Sequence, residues 1–120
     1  MKVLIIDDDA DIRFVAAMSL RAGGAIDVVE ASGGLDGVCK AREEQPDVIL
    51  LDMMMPVMDG SQTIAALRMQ KETAATPVIF LTAKTIGAEI QGMKDLGAAG
   101  VLIKPFYPRT LAADVLALLT

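Results

Sequence analysis

Short runs of hydrophobic residues alternate along this chain with segments whose hydrophobic residues recur every three or four positions. A continuous apolar run without polar alternation is typical of a strand buried on both faces. The clearest run is the one before Asp52, because four apolar residues lead directly into one carboxylate, with Pro56 and Gly60 following. The predicted strands cover residues 3–6, 27–31, 48–51, 78–81 and 101–103.

Helical spacing fills the segments between these strands. The hydrophobic positions that carry it lie within residues 12–20, 35–42, 64–69, 86–96 and 111–119. Asp9 or Asp11 is expected to cap the first helix, and Gly23 and Gly24 to end it. Cys39 occupies an apolar position of the second helix, which predicts a small core residue.

Strand and helix alternate five times, and this order favours a parallel sheet with right-handed crossovers and helices on both faces. The predicted fold class is therefore α/β, a doubly wound five-stranded parallel sheet with five helices. The 120 residues show no internal repeat, low-complexity segment or linker, so residues 1–120 are expected to form a single domain.

Composition removes several classes of function. The net charge of −5 leaves no cationic excess for a phosphate backbone, so direct nucleic-acid binding is not expected. No apolar run approaches the roughly 18 residues of a membrane span, and Met1 and Lys2 lead into a strand rather than a secretion signal, so no membrane association is expected. The single cysteine fits a reducing cytoplasm, and the absence of histidine excludes the usual zinc and general-base sites.

The carboxyl ends of parallel strands meet at one edge of a sheet, where folds of this class bind ligands. Four of the predicted strands deliver polar residues to that edge. They are Asp7 and Asp8 after the first strand, Asp52 after the third, Thr82 after the fourth and Lys104 after the fifth. Each residue alone is commonly a cap, a loop acid or a surface lysine, whereas their conjunction at strand ends predicts a functional site.

Carboxylates placed close together repel one another. Two such charges about 4 Å apart cost about 4 kcal/mol at an effective dielectric near 20, so either protons or a cation must offset the repulsion. Oxygen ligands without histidine or cysteine favour Mg²⁺ or a similar hard ion such as Mn²⁺. A metal ion, the ammonium group of Lys104 and the hydroxyl of Thr82 around one carboxylate suit phosphoryl transfer, with Asp52 as the nucleophile that forms an acyl phosphate.

Five short segments make the chain resemble a receiver domain of the two-component response-regulator family, of the chemotaxis-regulator-like kind. They are residues 3–8 (VLIIDD), 50–56 (LLDMMMP), 59–60 (DG), 81–83 (LTA) and 104–106 (KPF). The resemblance covers the whole chain and implies a flavodoxin-like strand order of 2-1-3-4-5. It also implies a signalling phosphoacceptor rather than an enzyme, one that promotes its own phosphoryl transfer and the hydrolysis of its aspartyl phosphate.

The resemblance assigns roles to the acidic residues. Asp52 would accept a phosphoryl group from the phosphohistidine of a sensor histidine kinase or a histidine phosphotransfer protein. Asp8, Asp52 and the backbone carbonyl of Met54 would hold Mg²⁺ directly, with Asp7 acting mainly through water.

The same resemblance implies that Thr82, the backbone N–H of Ala83 and Lys104 bind phosphoryl oxygens, and that the bond between Lys104 and Pro105 is cis. One position departs from the family pattern. The family usually has an aromatic residue or histidine three positions before the lysine, where this chain has Val101. Instead of the usual switch of the aromatic side chain, a smaller movement of the segment from Lys84 to Leu96 is therefore expected to carry the signal.

Two further sets of residues follow from the resemblance. Met54 and Lys84 hold the positions that tune phosphoryl lifetime, and an apolar Met54 predicts slow self-hydrolysis, with plain packing of Met54 and a solvated Lys84 as the alternative. The loop after the third strand would face the kinase or phosphotransfer protein, or its methionines would pack beneath the loop. The residues expected to recognise that partner are Met55, Pro56, Met58, Asp59 and Gly60.

The output surface implied by the family comprises the segment from Lys84 to Leu96, the strand from Val101 to Ile103 and the C-terminal helix. This surface would bind a second copy of the chain or a target protein when the phosphoryl group is present.

Three alternatives compete with the receiver hypothesis. A haloacid-dehalogenase-like phosphatase would need a second aspartate at position 54, which is methionine. A flavodoxin-type electron carrier would need a hydroxyl-rich phosphate loop after the first strand, where this chain has Asp7, Asp8 and Asp9. The third alternative is a receiver-like interaction module that acts independently of phosphate.

Overall fold

The computed structural model describes residues 1–24, 26–83 and 87–119, and in these residues five strands alternate with five helices. In chain order the elements are β1 Lys2–Ile6, α1 Ala10–Ala22, β2 Asp27–Ala31, α2 Gly34–Glu44, β3 Val48–Asp52, α3 Gly60–Met69, β4 Val78–Thr82, α4 Gly87–Asp95, β5 Gly100–Ile103 and α5 Leu111–Leu118. Each predicted strand is confirmed to within one residue at either end.

The strands form one parallel sheet in the order β2-β1-β3-β4-β5. The predicted α/β class and the flavodoxin-like order are therefore confirmed. β3 lies at the centre, paired with β1 through Ile5 and Leu50 and with β4 through Leu50 and Ile79. This position explains its continuous apolar sequence, since both faces of the strand are covered.

Two hydrophobic layers cover the two faces of the sheet, and alternate residues of each central strand belong to different layers. In β3, Val48 and Leu50 pack with α1 and α5, whereas Ile49 and Leu51 pack with α2, α3 and Met93 of α4. Each fully buried aliphatic side chain contributes about 1.5–3 kcal/mol of transfer free energy. The alternation along the strands thus places helices on both faces.

The start of α1 is capped by Asp9. Its carboxylate accepts hydrogen bonds from the backbone N–H groups of Asp11 and Ile12, and Gly23 is the C-cap. Of the two candidate caps, Asp9 is therefore the one used. The cap matters to the site because it fixes the loop that carries Asp7 and Asp8.

The buried face of α2 differs from the predicted one. The helix buries Gly34, Gly37 and Ala41, whereas Leu35 and Cys39 are exposed, so the prediction of a core position for Cys39 is wrong. A Cβ on Gly37 would lie 2.5 Å from Cδ1 of Ile6, which means that the helix backbone rests directly on β1. Leu35 and Cys39 each lie two positions from Gly37, so their side chains are on the opposite side of the helix, toward solvent.

Within the described residues, no helix is both long and apolar enough to cross a membrane. The lifetime role predicted for Lys84 and the helix-face position predicted for Ile86 fall on residues that lie outside the described part of the chain.

Candidate functional site

Asp52 is the last residue of β3, and its carboxylate lies at the carboxyl edge of the sheet with only 5% of the residue exposed. Its Oδ1 accepts a hydrogen bond of 3.3 Å from the backbone N–H of Met54. The N–H of Met53 donates to the carbonyl of Leu81 on β4, so the chain leaves the sheet directly beside the end of that strand. The carboxylate is thus anchored by backbone rather than free to rotate into solvent.

Asp7 and Asp8 follow β1 and lie next to Asp52. The three residues each offer a carboxylate oxygen, and these oxygens lie within 4.8 Å of one another. Asp7 is fully buried, whereas Asp8 is exposed. A cluster of hard oxygen donors with an open side fits Mg²⁺, which binds to one or two carboxylates and keeps several waters.

Lys104, which follows β5, bridges two of these acids. Its Nζ lies 2.9 Å from Oδ2 of Asp7 and 3.3 Å from Oδ1 of Asp52. The other oxygen of Asp7 accepts a hydrogen bond of 2.9 Å from the backbone N–H of Asp9. The ammonium group therefore partly neutralises the acidic cluster from the side of β5.

Burial and charge shift the ionisation of this group. Burial, together with the neighbouring charge of Asp7, raises the pKa of Asp52 from 3.8 to about 6, although Lys104 and the N–H of Met54 act in the opposite direction. Burial lowers the pKa of Lys104, but the hydrogen bond and charge of Asp7, with the charge of Asp52, outweigh it and raise the pKa above its usual value. In the metal-free protein at neutral pH, Asp52 is therefore an anion in an unfavourable environment, which a cation would relieve.

The remaining site residues lie at the ends of β4 and β5. Thr82 is buried, and its backbone carbonyl accepts a hydrogen bond of 2.7 Å from the N–H of Lys104. Ala83 is exposed, and the bond between Lys104 and Pro105 is cis. The five polar residues selected from strand ends thus lie along one edge of the sheet, as the alternation of elements required.

The loop between β3 and α3 combines packing with exposure. Met55 is buried in the core, whereas Met54, 64% exposed, lies at the surface beside Asp52. Asp59 caps α3 in a reciprocal pair with Gln62. A Cβ on Gly60 would lie 2.7 Å from Cα of Met53, so only glycine allows this close return of the chain.

Arg13 belongs to the site although sequence reasoning did not select it. Its Nη1 donates a 2.7 Å hydrogen bond to the backbone carbonyl of Asp7, and its Nε lies 3.4 Å from Glu30 on β2. This contact ties α1 to the loop that carries the acids. The local signal for it in the sequence is a positive residue in the first turns of the helix that follows an acidic loop.

Of the segments expected to form the output surface, the structure describes the residues from Gly87 onward. Val101 is half-buried and packs against the layer that contains Phe80 and Met93. Within α4, Met93 is the buried residue. Val101 is thus part of the core layer on this face of the sheet.

Residues 3–116 match the response regulator receiver domain family. With nearly the whole chain matched and the site geometry described above, the chain belongs to this family of two-component signalling domains. The match favours the receiver over the phosphatase and electron-carrier alternatives.

Similar proteins agree with this assignment. The chain is 42% identical over 119 residues to the DNA-binding dual master transcriptional regulator RpaA of Synechocystis sp., covering 98% of this chain and 48% of that protein. It is 43% identical over 120 residues to the transcriptional regulatory protein ResD of Bacillus subtilis, again covering 98% and 48%. The chain thus spans about half the length of these curated relatives.

A solved structure resembles this chain over nearly the full length of both proteins. The chemotaxis response regulator CheY4 of Vibrio cholerae superposes with a TM-score of 0.90 at 38% sequence identity, covering 98% of this chain and 97% of that chain.

Proposed function

We propose that this receiver domain takes a phosphoryl group from a phosphohistidine onto Asp52 and uses it to control an output. One observation carries the proposal: a nearly buried carboxylate lies 3.3 Å from Nζ of Lys104 and within 4.8 Å of oxygens from Asp7 and Asp8. An anion surrounded by a lysine and a cation-binding pair suits attack on a phosphoryl group, because catalysis of this transfer is mostly positioning and charge neutralisation.

The transfer exchanges one bond to phosphorus for another. An oxygen of the Asp52 carboxylate attacks phosphorus, the bond between phosphorus and the donor imidazole nitrogen breaks, and the imidazole leaves with its electron pair. Lys104 would neutralise the negative charge on the phosphoryl oxygens during the transfer, because its ammonium group already contacts Asp52. We assign the Thr82 hydroxyl and the backbone N–H of Ala83 to the remaining phosphoryl oxygens.

The metal assignment follows the donor set. Asp8, Asp52 and the backbone carbonyl of Met54 would hold Mg²⁺, or Mn²⁺ in its place, and Asp7 would act through water because Lys104 and Asp9 already engage its carboxylate. When bound, the cation supplies positive charge that offsets the repulsion among the acids and the incoming phosphoryl group.

The lifetime of the acyl phosphate is proposed to be long. Met54 projects an apolar, exposed side chain beside Asp52, and a thioether is a poor partner for orienting an attacking water. The domain would then promote its own dephosphorylation only slowly.

Response regulators act with histidine kinases, and we propose a sensor histidine kinase or a histidine phosphotransfer protein as the donor, in the cytoplasm. The output would run through α4, β5 and α5 to a second copy of the chain or to a target protein. The DNA-binding and transcriptional activities named above are those of proteins twice as long.

Intact-mass measurement after incubation with acetyl phosphate and Mg²⁺ tests the proposal on the wild type, Asp52→Ala and Asp8→Asn. A phosphoryl group adds about 80 Da. We expect this gain on the wild type, sensitive to base and to EDTA, little gain on Asp8→Asn and none on Asp52→Ala.

Two results would contradict the proposal. A gain that persists in Asp52→Ala would place the phosphoryl group elsewhere. No gain from acetyl phosphate or from any phosphohistidine donor, in a folded protein that binds Mg²⁺, would favour a phosphate-independent interaction module.

A further inference from the structure

Helix α1 exposes three large apolar side chains to solvent. Phe14 is 63% exposed, Val15 39% and Met18 55%. Each of the other helices exposes at most one large apolar side chain within the described residues. The opposite side of α1 packs on the sheet through three further residues, Ala16, Ala17 and Leu20. Helix α1 is therefore apolar on two sides, whereas a surface helix usually has one apolar and one polar face.

The outward side of α1 has the spacing with which helices pair. Four exposed residues follow one another at intervals of four, three and four positions: Asp11, Val15, Met18 and Ala22. This spacing aligns them in one stripe along the helix, and two helices pack side by side along such a stripe. Phe14 lies at one edge of the stripe, because successive residues of a helix are about 100° apart around its axis.

A groove at the other edge of the stripe extends the apolar surface toward α5. It has a volume of about 350 Å³ and separates the C-terminal half of α1 from Pro108 and Arg109, in the turn before α5. Met18 and Ala22 line the α1 side of the groove. The guanidinium-bearing Arg109 therefore lies beside the C-terminal end of the stripe.

The two ends of the stripe carry opposite charges. Asp11 lies in the first turn of α1, directly after the cap Asp9, whereas Arg21 lies in the last turn. Neither Asp11 nor Arg109 forms an ion pair with another described residue. If two α1 helices lie antiparallel, the acidic end of each faces the basic end of the other, and their dipoles are opposed. A parallel pair would bring like charges together.

We propose that α1 is an interface through which two copies of this chain associate, with their α1 helices antiparallel about a two-fold axis. The stripe is its own complement, since such an axis places one patch against the same patch in the reverse direction. Val15 of one copy then packs against Met18 of the other, and Asp11 of one lies opposite Ala22 of the other, close to Arg109. One pair of helices buries less than the roughly 1,200 Å² of a stable interface, so we expect a weak dimer.

Sedimentation velocity on the full chain, without Mg²⁺ or a phosphoryl donor, measures this association. We expect the wild type to pass from monomer to dimer between about 10 µM and about 1 mM, the range of a small interface. Met18→Glu places like charges close to the axis and should lower the association constant at least about tenfold. Met69→Glu is the matched control, because it makes the same change at an exposed position of α3, on the other face of the sheet, and should leave the association constant unchanged.

Charge reversal tests the contact between the two ends of the stripe. Asp11→Arg alone and Arg109→Asp alone should each lower the association constant about fivefold or more, because each places like charges together at both ends of the interface. The double variant has the net charge of the wild type and should recover most of its association constant. Thermal unfolding of every variant verifies that the domain is folded.

Disulfide trapping tests the direction of the helices. Cys39→Ser removes the only cysteine, and chains that carry Asp11→Cys are then mixed with chains that carry Ala22→Cys. Eleven residues of helix span about 16 Å, so in the antiparallel pair the mixed disulfide forms and the two symmetric disulfides are out of reach.

Several results would overturn the inference. A wild type that stays monomeric up to about 1 mM would leave the stripe to a helix of another protein. An association unaffected by Met18→Glu, or equally weakened by Met69→Glu, would place the contact elsewhere. A double variant as weak as the single reversals, or symmetric disulfides in excess of the mixed one, would exclude the antiparallel arrangement.

Discussion

Replacing Asp52 by asparagine should stabilise the metal-free protein at neutral pH, even though Asp52 is the proposed phosphoacceptor. The carboxylate ionises near 3.8 in the unfolded chain and at about 6 in the folded protein, because burial and the charge of Asp7 disfavour the anion. The folded state therefore binds the proton more tightly. The contribution of Asp52 to stability is fully present below pH 3.8 and is lost as the pH rises through about 6.

The size of the effect follows from the two pKa values. A rise from 3.8 to about 6 corresponds to about 3 kcal/mol at about 1.36 kcal/mol per pKa unit. This pKa already includes the favourable pairing with Lys104. The value is an upper bound because a small part of the carboxylate stays in contact with solvent, and we expect Asp52→Asn to gain about 2 kcal/mol at pH 8. At pH 5 about half of that difference should remain.

Urea unfolding in EDTA at intervals between pH 5 and pH 8 measures the difference directly. Asp27→Asn is the matched control, because it changes the net charge equally from an exposed position on β2. Saturating Mg²⁺ should shrink the difference or reverse it, since the ion stabilises only the variant that binds it well. A difference that does not vary with pH, or an asparagine variant less stable than the wild type at pH 8, would refute the reasoning.

Three further predictions concern the surroundings of the site. Lys104→Met leaves the fully buried Asp7 without its cation, so the free energy of unfolding in EDTA should fall by about 3 kcal/mol, as urea titration would show. Asp59→Ala removes the cap of α3 and should cost about 1 kcal/mol at pH 7. Hydrogen bonds lower the pKa of Asp59, so this cost should be present above pH 3.8 and disappear as the pH falls below it. Gly92→Ala should raise the Tm, because nothing lies within 4 Å of the added Cβ and alanine favours a helix by about 1 kcal/mol, whereas Gly37→Ala should lower it through the contact with β1.

Each of these predictions has a result that would contradict it. An unchanged urea midpoint for Lys104→Met would mean that Asp7 is not held by that ammonium. Asp59→Asn keeps a capping side chain, so a loss equal to that of alanine would exclude the cap as the cause. Gly92→Ala and Gly37→Ala add the same methyl group to a helix, and a shift of equal sign in both would contradict the distances around the two glycines.

Local pattern was sufficient to predict the strands and helices and to select the polar residues that lie at the strand ends. The runs before Asp7, Asp52 and Thr82 predicted buried strands because a central strand covered on both faces needs apolar residues at every position. The same pattern placed the acids at strand ends, and alternation with helices brought those ends to one edge.

Helix orientation was less predictable. For α2, the hydrophobic residues suggested a face that includes Leu35 and Cys39, and the structure instead buries the glycines. A glycine carries no side chain to count in a hydrophobic pattern. The role of Gly37 is seen only in the structure, where Ile6 packs so close that a Cβ on Gly37 would lie 2.5 Å from Cδ1 of Ile6. The positive φ of Val57, 69°, could not be predicted either, because residue type alone does not determine a backbone dihedral.

The sequence by itself determined the α/β alternation, the parallel sheet and the set of polar residues at strand ends, because hydrophobic periodicity is a local property of the chain. Only the tertiary structure decided which of these residues touch. Lys104 and Asp7 are 97 positions apart and meet at 2.9 Å because register and helix packing set the distance between β1 and β5. The raised pKa of Asp52 arises from that same assembly, since burial and neighbouring charge are produced by packing of the whole domain.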